Sequence, residues 1–244
     1  MKINDVTLKQ GLCQDANFLT GLAITDSSTY TVADKIRNAN TWYRKVNAWI
    51  WDSTGDWEYD DSNWTNLPVA TTDLVTTAGS EQQDYEMPST AQKIDRVEVL
   101  DSEGNYQLLK PFDKSQVLDQ SMSEFYETAG FPIYYDLVGR SILLYPKPAD
   151  ASVTATDGLK LYFARDIDEF AITDTATEPG FSKNYHRLIS LGMSYDYCLR
   201  NGLDDRKTNI RKEIDELKDQ LQTEYGARHR NFRTRIIPRI QSEL

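Results

Sequence analysis

Histidine and cysteine are nearly missing from this chain. Its 244 residues hold two of each, His186 and His229, Cys13 and Cys198. The cysteines lie far apart and form no Cys-x-x-Cys pair. One disulfide could join them, and free thiols in a reducing compartment are the reading preferred. No Gly-x-Ser-x-Gly, His-Glu-x-x-His or Gly-x-x-x-x-Gly-Lys-Ser/Thr occurs, so no nucleophile elbow, zincin helix or phosphate loop is written in the chain. His186 and Cys198 stand twelve residues apart on one expected helix, about 18 Å at the helical rise, and cannot form a nucleophile–base pair. The acid pairs Asp60-Asp61 and Asp204-Asp205 are sequence neighbours whose side chains diverge, which suits solvated turns better than acid–base work. No catalytic residue, cofactor or metal is expected.

Long apolar runs are also missing. Nothing approaches the roughly 20 apolar residues of a membrane span, and the start, Met1 to Val6, lacks the apolar core of a signal peptide. Positive charge is short overall: 27 basic residues stand against 38 acidic ones, a net charge of −11. That excess opposes a general nucleic-acid coat. The shortage ends at the C-terminus. From residue 226 onward there are five arginines, Arg228, Arg230, Arg233, Arg235 and Arg239, against one acid, Glu243. Phe232, Ile236, Ile237 and Ile240 are interleaved with them, and Pro238 prevents a continuous helix. Three readings fit this stretch: binding DNA phosphate, solvated disorder, or ordering against an acidic protein partner with the isoleucines in pockets.

What is present is patterned. Val32, Ile36, Ala39, Tyr43, Val46 and Ile50 follow a 4-3-4-3-4 spacing and predict a helix, with Ser28 or Thr31 as its cap and Gly55 after its end. Val6, Leu8 and Leu12 suggest a short helix before it. All five tryptophans, Trp42, Trp49, Trp51, Trp57 and Trp64, crowd into this part of the chain. They serve either as packing and interface anchors, the reading preferred here, or as a stacking platform for sugars or bases.

From about Leu67 the period becomes strand-like. Val97 and Val99 alternate with Arg96 and Glu98, a turn follows at residues 101–105, and Tyr106 and Leu108 continue the hairpin. Residues 111–128 read as interrupted helix. A second hairpin is expected from strands 133–137 and 141–145 around Gly139, and residues 159–165 give a further strand. Helix returns at Phe181, with Phe181, Tyr185, Leu188, Gly192 and Tyr195 on one face, and is stopped by Asn201-Gly202. A last helix, about 204–225, carries Ile210, Ile214, Leu217 and Leu221 at 4-3-4 spacing, a narrow seam suited to packing against a neighbouring subunit. Gly226 is expected to end it.

The fold class expected is α+β. A helical bundle holds an inserted small antiparallel β domain and ends in an extended C-terminal tail. The divisions are residues 1–66, helical; 67–166, the β domain; 167–225, helices completing the bundle; and 226–244, the basic tail.

An order of weak motifs then points to a family. Trp49-Ile50-Trp51-Asp52 ends the first long helix. Leu67-Pro68, Asp84-Tyr85-Glu86-Met87-Pro88 and Ile94-Asp95-Arg96-Val97 follow. Next come Gly130-Phe131-Pro132-x-Tyr134-Tyr135, Ile142-x-Leu144-Tyr145-Pro146-x-Pro148 and Leu161-Tyr162-Phe163-Ala164-Arg165. Over about residues 30 to 225 the chain resembles the head-to-tail adaptor (connector) proteins of tailed bacteriophages, of the podovirus type similar to the adaptor of phage SU10. The resemblance implies a structural virion protein, not an enzyme. It implies a dodecameric ring in the neck between capsid and tail, assembled in the host cytoplasm. Its partners would be the portal protein, neighbouring adaptor copies, tail nozzle or fibre proteins, and double-stranded DNA passing without sequence-specific binding, with no membrane. The tail positions from Arg228 to Ile240 would dock on the portal. The competing reading is a carbohydrate-binding or hydrolytic virion module built on Trp42 to Trp64. A DNA-binding closure protein is disfavoured by the net charge.

Overall fold

In the computed structural model the residues described are 1–24, 28–55, 69–77, 79–113 and 128–232, with side chains through residue 227. The chain divides into two compact units, Met1–Asp60 with Ile167–Leu244, and Asp61–Asp166. Helices make up the first and mainly antiparallel sheets the second, an α+β protein.

The helical unit has four described helices: α1 Leu12–Thr20, α2 Val32–Thr54, α3 Arg187–Arg200 and α4 Asp204–Phe232. The predicted stripe of α2 is its buried face: Ile36, Ala39, Tyr43, Val46 and Ile50 are all at most 3% exposed. Thr31 caps it by accepting from the Asp34 N–H at 3.2 Å, and Gly55 closes it in the left-handed region at φ 69°. The expected short helix through Val6 and Leu8 is absent. There the Asp5 carboxylate accepts from the N–H groups of Thr7 and Leu8, which holds a turn, and both apolar side chains are exposed. The helix begins at Leu12 instead. A 3₁₀ turn, Lys183–Tyr185, leads into α3, which starts at Arg187 rather than Phe181.

α4 departs most from expectation. It runs through Gly226 to Phe232. Gly226 lacks the positive φ of a C-cap glycine, and a helical glycine there costs only about 1 kcal/mol relative to alanine. The helix absorbs that cost because Tyr225, one residue before, is buried and its hydroxyl accepts from the Ser182 N–H at 3.0 Å.

In the β unit, β1 Val69–Thr72, β3 Ala91–Leu100, β4 Tyr106–Leu108 and β10 Leu159–Arg165 form one sheet in the order β1-β10-β3-β4. A second sheet, β2-β8-β7-β5, is built from β2 Asp84–Glu86, β5 Lys110–Pro111, β7 Tyr134–Val138 and β8 Ser141–Tyr145. A small parallel pair joins β6 Ala129–Gly130 to β9 Lys147–Pro148. Both predicted hairpins form. Asp101 accepts from the Glu103 and Asn105 N–H groups to make the first turn, and Gly139, at φ 62°, starts the second. Val97, Val99, Leu159 and Leu161 of the first sheet and Tyr85, Ile142 and Leu144 of the second share one core. Burying each of these aliphatic side chains contributes about 1.5–3 kcal/mol. The interrupted helix expected over residues 111–128 falls mostly outside the described residues.

Candidate functional site

α4 positions most of the residues singled out from the sequence. At 29 residues it is about 43 Å long. One side faces its own unit. Ile210, Ile214 and Leu221 are 6%, 1% and 0% exposed and lie in the core with Trp42, Val46 and Leu188, and Leu217 packs against the edge of that core. This corrects the subunit seam expected at these positions. A stripe buried inside one chain is not available to the next, so any contact between copies uses another surface. Spacing alone cannot tell a core stripe from an interface stripe.

Polar bonds fix the helix in register. Arg187 Nε and Glu213 Oε1 are 3.1 Å apart, Tyr185 donates to Glu224 Oε2 at 2.7 Å, and the Lys218 ammonium lies 5.0 Å from the Trp49 ring. The Arg206 guanidinium donates to the Thr20 carbonyl at the end of α1. Asp204 and Asp205 sit in the first turn, where the helix dipole favours acids. The helix then delivers the backbone of Arg228, Arg230 and Phe232 in its last turns, where cations suit the dipole. Arg233, Arg235, Ile236, Ile237, Arg239 and Ile240 lie outside the described residues.

The tryptophans divide. Trp42 is buried at 3% exposure, and its indole N–H donates to Asp196 Oδ2 at 2.8 Å. Burial pushes the Asp196 carboxyl above its ordinary range. The Trp42 ring meets Trp49 and Tyr195 edge-on, with Lys45 over it at 3.9 Å. Trp49 and Trp51 pack half-buried on the same core. These three pack the helical core, and Trp42 is too buried to stack on a sugar. Trp57 and Trp64 lie outside the described residues.

The titratable groups held inside the helical unit are structural. His186 is 1% exposed, with Nε2 on the Phe181 carbonyl at 2.9 Å and Nδ1 on the Met1 amino group at 2.6 Å. Burial lowers its pKa. Cys13 and Cys198 are buried and form no disulfide, and burial pushes the Cys198 thiol up. Among the described residues no three His, Cys, Asp or Glu side chains come together to hold a metal ion, and no helix is long and apolar enough to cross a membrane.

The sequence reading passed over one cluster. Lys160 on β10 stands between Tyr106 at 4.6 Å and Tyr162 at 5.3 Å. The alternation Leu159-Lys160-Leu161-Tyr162 carried that signal, since it puts Lys160 and Tyr162 together on the outward side.

Comparison with known proteins places most of the chain in one family. The family model described as SU10 adaptor protein matches residues 22–236. No curated protein matches the chain.

Proposed function

The chain belongs to the SU10 adaptor protein family, and on that footing we propose that it is a structural adaptor in the virion neck, forming a dodecameric ring that joins the portal to the tail. The family match over residues 22–236 carries this reading. Charge supports it. An acidic chain of net −11 gives a channel wall past which DNA slides without sticking. The arginine-rich C-terminus, led out by the last turns of α4, is suited to an acidic portal surface. Tail nozzle or fibre proteins would bind below. Among the described residues no observation favours a carbohydrate-binding role, since Trp42 is buried in packing.

The test is the mass of the complex formed with the cognate portal ring, by native mass spectrometry. A gain equal to a closed ring of copies is expected. A chain that leaves the portal mass unchanged at micromolar concentration overturns the reading.

A further inference from the structure

The two sheets of the β unit share one core, so each keeps one face outward, and the two outward faces point in opposite directions. Register assigns their side chains. On β10 and β3, Tyr162 lies opposite Arg96 and Lys160 opposite Glu98, on the side away from buried Leu161 and Val97. Glu98 itself is only 5% exposed, covered by its neighbours, so Arg96, Lys160 and Tyr162 are the groups this side presents. On the second sheet Asp84 and Glu86 flank buried Tyr85 and are exposed at the β2 edge, with Asp84 opposite Leu143 and Leu143 opposite Asp136. Further across the same side Tyr145 is 2% exposed with the Phe112 ring 4.9 Å away, so the open part of this side is its β2 edge.

The charges on these faces differ in kind. Lys93 is paired with Asp95 at 3.0 Å and Arg96 with Glu98. Lys160 has no carboxylate within ion-pair distance among the described residues. It is held instead by two tyrosine rings, one of them fixed by the Tyr106 hydroxyl donating to the Asp157 carbonyl at 2.9 Å. On the opposite face the exposed carboxylates of Asp84 and Glu86 have no cation within that distance among the described residues. Lys110 is that face's lysine, placed at its far edge on β5. Each face also exposes an aliphatic residue, Leu108 on the first and Val138 on the second.

We propose that these two outer faces are the two halves of the contact between neighbouring copies, the Lys160 face of one chain docking on the Asp84–Glu86 face of the next. The inference rests on the ring reading above and names its interface. A ring of identical chains needs a heterologous contact, two different patches on one chain that point apart. Opposite faces of a two-sheet unit meet that need. A second copy is also the occupant that charge selects. Copies of so acidic a chain repel one another unless the contact joins opposite signs. A lysine already ordered between two rings loses little freedom on docking.

The experiment mixes two variants of the full chain that each add one surface cysteine, Lys160→Cys and Glu86→Cys, with the portal ring and also alone at high concentration. A short bismaleimide then reports contact. Cys13 and Cys198 are buried, and the unsubstituted chain serves as the control. Cross-linked dimer is expected from the mixture and from neither variant by itself. Alongside, Lys160→Glu is expected to lower ring yield at least tenfold, and adding Asp84→Lys and Glu86→Lys to it to restore the yield. Circular dichroism checks that each variant is folded. If the unsubstituted chain rings the portal but the mixture gives no cross-link and Lys160→Glu assembles normally, this contact is wrong and the ring reading stands. If the mixture cross-links while nothing joins the portal, the contact holds and the ring reading fails. Absence of both overturns both. A Lys160 face that binds an oligonucleotide, in a mixture that does not cross-link, overturns the contact in favour of nucleic acid.

Discussion

Gly192 has no room for a side chain. A methyl group built there would lie 2.1 Å from Trp42 Cδ2, and the buried indole is held by its bond to Asp196. Gly192→Ala is therefore expected to destabilise the protein by about 1–3 kcal/mol, the usual cost of overpacking a filled core, read as a lower urea midpoint. The loss should shrink when Trp42→Leu is added. His186 gives the helical unit a pH dependence. Burial holds its pKa below the ordinary value of 6.5. Below pH 6.5 the unfolded chain therefore takes up a proton that the folded chain resists, and stability falls with pH across that window. The melting temperature is expected to drop from pH 7 toward pH 5 in the natural chain and to drop less in His186→Gln. Equal slopes would remove His186 as the cause.

Elements were legible where apolar side chains repeat and obscure where polar ones are buried. The α2 stripe, the Gly139 hairpin and the Leu159–Arg165 strand could all be read because packing agrees with periodicity. α1 could not. Its buried face includes Gln14 and Asn17, while Phe18 is 68% exposed, so its hydropathy pattern contradicts its orientation. Gln14 is buried because its Oε1 accepts from the Asp5 N–H and its amide donates to Asn4, a long-range match that no local rule foresees. In α4 the apolar stripe was visible but its partner was not. Gly226 read as a stop because a glycine after a helical run usually is one. The structure makes two glycines diverge. A methyl group at Gly226 would meet only the Ser53 carbonyl at an ordinary 3.8 Å, so Gly226→Ala should stabilise by about 0.5–1 kcal/mol. Gly55→Ala forces an L-residue into φ 69° and should destabilise by about 1 kcal/mol. Thermal melts of the two variants check the signs, and a destabilising Gly226→Ala would mean that the helix ends there after all.

At the scale of the whole molecule, the proposed reading assigns docking to a part of the chain beyond the described cores. Each unit has its own core, and the core of the helical unit closes at Tyr225 on the last helix. The arginines that follow are placed by sequence beyond that point. Removing residues 233–244 takes away Arg233, Arg235 and Arg239 with the three isoleucines, and leaves every described residue in place. The truncated chain, which keeps both described cores, is expected to melt within a few degrees of the full chain. It is also expected to lose portal docking. Full-length docking should weaken steeply as salt rises from 50 to 500 mM, because exposed arginine–carboxylate attraction is screened within about 10 Å at 0.1 M. Affinity measured by surface plasmon resonance separates the contributions. Loss on truncation with strong salt dependence assigns docking to arginine charge. Loss with a flat salt response assigns it to Ile236, Ile237 and Ile240. Unchanged affinity moves the portal contact off the C-terminus altogether, leaving the described surface of the helical unit to supply it.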